Sequence, residues 1–171
     1  MRISRKALLY DIANMAYVIA DTGFDEPHIL HQVRDVCEEG NIDRVNRILG
    51  LCYARVLSIL LPLISRPVEN KSETGDTSDT NQEGEKSGKE GYFEICFQKE
   101  GEMSYLLTPE RKLKIKELIH EYMVSKVLWD WLEITYPVAA DVWKDKTIRA
   151  FDALRDSVGG CMTVRRRVPK I

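Results

Sequence analysis

Three histidines, His28, His31 and His120, are the residues here with the widest range of chemistry. His28 and His31 stand three apart, a spacing that puts two imidazoles on one helix face, where both could reach one metal ion. No third ligand follows at a telling interval, so a solvated helix face is the expectation and no metal is assigned. His120-Glu121 begins like a metalloprotease helix, but Val124 and Ser125 stand where the second histidine would be needed. Asp130, Glu133, Asp141 and Asp145 could supply paired carboxylates. Lys126, Lys144 and Lys146 lie among them, which reads as a salt-bridged outer face. Neither a phosphate-cradling GxxxxGK[ST] nor a GxGxxG or GxSxG occurs. With no base or nucleophile beside a residue to orient it, the expectation is a protein that is not an enzyme and needs no cofactor.

The other charged feature is the end of the sequence, VRRRVPKI. Arg165, Arg166, Arg167 and Lys170 stand there with no acid across residues 161–171. Such a tail can neutralise phosphates, or dock its guanidinium forks on carboxylates of another protein. It has no aromatic residue on which to stack a base. The whole chain carries a net charge of −2, so no global basic field draws it to nucleic acid.

These groups must be positioned by a mainly α fold. Ser4 caps a first helix to about Ala20, with Leu8, Ile12, Met15 and Ile19 on a wide apolar surface that implies deep burial. Pro27 opens a second helix carrying Ile29, Leu30, Val33 and Val36, which Gly40 ends. Asn41 caps a third, with Asp43 and Arg47 as a supporting i,i+4 pair near its start. Thr108-Pro109-Glu110 is a strong start for a fourth helix to about Thr135. Pro137 starts a fifth, whose expected inner face is Val138, Val142, Phe151, Leu154 and Val158, with Gly159-Gly160 as its stop.

Between the helical halves lies a polar excursion, residues 66–91, in which Val68 is the only large apolar side chain. Seven acids stand there against four bases. Too little surface can be buried to offset chain entropy, so a disordered acidic loop is expected. YFEICF and MSYLL follow and read as a β-hairpin insertion over 92–107, apolar on both faces and therefore in need of packing partners. Residues 1–171 are thus expected to form one helical domain: about five helices in a bundle, the inserted hairpin, the loop and the basic tail. Cys37, Cys52, Cys96 and Cys161 are dispersed with no zinc-like spacing, which fits free thiols in a reducing cytoplasm. The apolar start resembles a signal peptide, but Asp11 and Asn14 interrupt it, and no run is long enough to span a membrane.

The stretch from Leu107 to Val158, with EYMVSKVLWDWL, a proline break and AADVWKDKTIRAFDALR, resembles the C-terminal helical pair of tailed-bacteriophage head–tail connector (neck or adaptor) proteins, including those of the crAss-like group. The resemblance extends weakly over residues 1–64 and more closely over 92–168. It implies a structural virion protein at the head–tail interface, made in the cytoplasm of a host bacterium and forming a ring of about a dozen copies. Its implied partners are its own copies, the portal protein, tail or neck proteins and packaged DNA in the lumen. The implied contact residues are Tyr92, Phe93, Ile95, Phe97, Met103, Tyr105 and Leu107 in the hairpin, and Arg165, Arg166, Arg167 and Lys170 in the tail. A small helical DNA-binding or regulatory module using the basic tail is the competing expectation.

Overall fold

A computed structural model describes residues 1–23, 27–64, 91–97 and 107–163. Their order is β1 (Arg2–Ser4), α1 (Arg5–Gly23), α2 (Pro27–Arg34), a 3₁₀ turn (Asp35–Cys37), α3 (Ile42–Leu60), β2 (Tyr92–Glu94), α4 (Pro109–Thr135) and α5 (Pro137–Thr163). Five helices and a two-stranded antiparallel sheet make up the described chain. The loop expectation for residues 66–91 falls outside the described residues except at Gly91, as do most of the second hairpin arm and the basic segment from Val164 onward.

α4 is the centre of the bundle. It packs on α5, α3, α1 and α2, and Tyr122, Met123, Val124 and Ser125 are all buried in succession. Over that turn α4 is covered on every side, whereas its earlier part keeps a charged outer face that includes Glu117 and Glu121. Its start is built from the residues that announce it: the Thr108 hydroxyl accepts from the Arg111 amide at 3.3 Å, and Pro109 occupies the first turn. Trp131 reaches out of this helix to α2, where its indole Nε1 donates to the Val33 carbonyl at 3.2 Å. That bond satisfies the one polar atom of an otherwise apolar ring.

Tyr136 alone separates α4 from α5, so the two helices form an antiparallel pair, and the Tyr122 and Phe151 rings meet at 5.1 Å. The buried face of α5 is Ala140, Trp143, Thr147, Ala150, Leu154 and Val158. This corrects the expected face: Val138 and Val142 point outward, 75% and 58% exposed. Small alanines let α5 approach α4 closely, and the Thr147 hydroxyl is satisfied within its own helix by the Trp143 carbonyl at 2.7 Å. Gly159-Gly160 is not a stop either, because α5 continues to Thr163.

The first helix also differs from expectation. Its buried row is Leu8, Ile12, Ala16 and Ala20, an i,i+4 ridge, while Met15, Tyr10, Tyr17 and Val18 are exposed. The helix extends through Gly23 rather than ending near Ala20. Ser4 caps it as expected, its Oγ accepting from the Ala7 amide at 3.3 Å. α2 ends at Arg34 and tightens into the 3₁₀ turn well before Gly40. Asn41 holds the N-cap position of α3, but its side chain donates to the Asp35 carbonyl at 2.9 Å instead of capping. No ion pair joins Asp43 and Arg47 among the described residues.

The sheet is the largest departure from local reading. β2 pairs with β1 along one edge: Arg2 faces Glu94, Ile3 faces Phe93 and Ser4 faces Tyr92, while the expected second hairpin arm lies almost wholly outside the described residues. The ladder continues at both ends, through Ile95 N–H to the Met1 carbonyl (2.8 Å) and Arg5 N–H to the Gly91 carbonyl (2.6 Å). Ile3 and Ile95 are both buried, so the sheet is anchored to the core by alternate residues of each strand. Among the described residues no helix is long and apolar enough to cross a membrane.

Candidate functional site

The residues assigned to partner contact divide by burial. Ile95 and Leu107 are in the core. Phe93 is half-buried, stacked near Tyr53 at 4.9 Å with the Arg5 guanidinium 5.6 Å from its ring. Phe97 is half-buried and bridges to Ile64, with the Lys112 ammonium 6.0 Å from its ring. Tyr92 is exposed. Met103, Tyr105, Arg165, Arg166, Arg167 and Lys170 lie outside the described residues. The strand thus spends most of its apolar surface on its own subunit.

The structure brings a different set of groups together. Asp11 on α1, Glu117, His120, Glu121, Val124 and Ser125 on α4, and Trp143 and Lys146 on α5 line a groove of about 510 Å³, with Met15 at its edge. His120 Nε2 lies 2.7 Å from Asp11 Oδ2, a contact between residues 109 positions apart that ties α1 to α4. The Lys146 ammonium lies 4.1 Å from the centre of the Trp143 ring. Ser125 is buried and its hydroxyl donates to the Tyr122 carbonyl at 3.1 Å, so it is committed to the helix backbone. Glu117 and Glu121 have no hydrogen-bond or ion-pair partner among the described residues. An apolar floor with free carboxylates on one wall suits an elongated ligand bearing both cationic and apolar groups.

Sequence reading set His120-Glu121 aside and took Asp11 only as an interruption of an apolar run. Two signals were available. Asp11 falls one residue before Ile12 of the buried ridge, at the margin of the packed face. Glu117 and Glu121 form a like-charge i,i+4 pair, which a helix does not adopt for its own stability.

The remaining candidates are structural. The Lys126 ammonium is paired with Asp130 four residues on and lies 3.7 Å from the Trp129 ring centre. His31 is exposed, and no cluster of three or more metal-ligating side chains occurs among the described residues. Cys52 is buried, and burial pushes its thiol up to about 11; its hydrogen-bond partner Tyr122 is pushed up to about 12 for the same reason. Cys37, also raised by burial, donates to the Leu9 carbonyl at 3.6 Å. Cys96 is an exposed free thiol. No family model, curated protein or solved structure matches the chain.

Proposed function

We propose that this chain is a structural subunit of a tailed-phage particle, assembling head to tail into a ring that connects the capsid portal to the tail. The observation that supports assembly is a pair of unlike apolar faces left exposed by the fold. One is on α1, with Tyr10, Tyr17 and Val18 at 70%, 53% and 48% exposure. The other lies at the α4–α5 turn, with Ile134 near the end of α4 and Val138 and Val142 one turn apart on α5, all exposed. A closed ring of identical subunits needs two different, mutually fitting surfaces on each copy. Large exposed apolar groups gathered on two faces mark sites of protein contact rather than ordinary surface. The connector assignment itself rests on the resemblance of the α4–α5 region.

The test is sedimentation velocity and electron microscopy of the full chain, alone and with a cognate portal. A closed oligomer is expected in at least one of the two mixtures. Val138→Glu/Val142→Glu and Tyr10→Glu/Tyr17→Glu should each abolish it while preserving helical content. A chain that stays monomeric and shows no affinity for the portal would overturn the reading.

A further inference from the structure

The groove between α1, α4 and α5 is a binding site for an arginine-rich peptide, and the geometry points to residues 164–171 of the same chain as its occupant. Charge is the first argument. Asp11 is already engaged by His120, which leaves the Glu117 and Glu121 carboxylates open on this wall, and the ammonium of Lys146 is drawn onto Trp143. The segment VRRRVPKI brings Arg165, Arg166, Arg167 and Lys170 with no acid, and planar guanidinium groups pair carboxylates well. Its Val168 and Ile171 match the apolar floor of Val124 and Trp143.

Register is the second argument. Tyr122 is level with Phe151, so each position along α4 can be placed against α5. From Phe151 to Thr163 is about 18 Å of helix, and Glu117 lies about 7 Å along the same direction from Tyr122. The axial gap from the end of α5 back to Glu117 is therefore about 11 Å, and back to Lys146 about 25 Å. After about two or three residues of reversal, a chain leaving Thr163 that covers about 3.3 Å per residue reaches the level of Glu117 with residues 168–170, so the basic segment meets the acidic end of the groove. The unpaired Glu117–Glu121 repulsion within α4 is relieved by such an occupant.

Docked in this way, the segment and the groove cover each other, and a partner must displace one to reach the other. This inference does not depend on the ring reading, because it concerns a single chain. It is tested on the full chain by limited trypsin digestion, following cleavage after Arg165, Arg166 and Arg167 by mass spectrometry. Cleavage there is expected to be at least about tenfold slower than in the free peptide VRRRVPKI, and to accelerate as salt is raised. Glu117→Lys/Glu121→Lys, both at exposed positions, should restore the peptide rate with helical content unchanged. Equal rates in chain and peptide overturn the proposal. Protection that grows with chain concentration also overturns it, by assigning the segment to the groove of a second copy. Ring assembly is read separately by sedimentation, so either result stands whatever the other shows.

Discussion

The α4–α5 pair and the β1–β2 sheet are both antiparallel contacts, yet they are made in opposite ways. Only Tyr136 separates the two helices, whereas the strands are joined across about 90 residues of chain. Bringing distant segments together costs more loop-closure entropy, and that cost rises only slowly with length. The helical pair offsets it with a continuous buried face from Ile115 to Leu132 against Ala140 to Val158. The sheet has three residue pairs, one exposed Arg2–Glu94 bridge at 3.1 Å, and the anchoring of Ile3 and Ile95. Surface pairs of that kind contribute little, so the strands are held by Ile3 and Ile95 in the core together with the packing of Phe93 on Tyr53, whose hydroxyl donates to the Glu94 carbonyl. The contrast in buried contact among the described residues leads to an expectation: local stability decreases from the α4–α5 pair toward the sheet.

The comparison can be broken most forcefully at Trp131. Trp131→Ala removes a buried ring and the Nε1 bond to Val33, and should cost about 3–5 kcal/mol by urea denaturation. A loss near that of a surface residue would mean that the α4–α5 pair is not the stable centre. Next in size is Ile95→Ala, expected to cost about 2–4 kcal/mol. Its hydrogen-exchange signature sharpens the contrast: amides of β1 and β2 should lose protection well before those of α4. Uniform loss across both regions would show that sheet and bundle unfold as one unit.

The smallest effect concerns pH. The folded-state values of Cys52 and Tyr122 are raised above their ordinary 9.0 and 10.0, so folding favours their protonated, neutral forms. Their contribution is fully present below about pH 9 and is lost as pH rises through about 11 to 12. The fall for Cys52 alone is on the order of 2 kcal/mol. Cys52→Ala should flatten the decline in urea midpoint between pH 8.5 and 11.5, although it lowers stability at every pH. An unchanged slope would mean that this thiol does not titrate at the α3–α4 contact.

The helix starts were legible because they depend on neighbours in sequence. Ser4, Thr108-Pro109 and Pro137 stand where their backbone chemistry requires them. The buried face of α5 was not legible in the same way. Branched Val138 and Val142 look like core residues, but α4 selects the face on which Ala140 and Ala150 permit close approach. The strand Tyr92–Glu94 was legible as a strand, while its partner was not, because hydrogen-bonding edges carry no address. Of the groove, only the residue types could be read, since Asp11 and His120 meet through packing across 109 positions.

What the sequence by itself determined is the mainly α class, the entry points of its helices and the segregation of charge into an acidic excursion and a basic end. Those follow from capping, proline geometry and composition, all short-range. The tertiary structure alone decided which face of each helix is buried, that β2 answers to β1, and that three helices converge on an acidic, apolar-floored groove. Those outcomes depend on close packing, where one helix can satisfy only one face of its neighbour, and no local pattern states which.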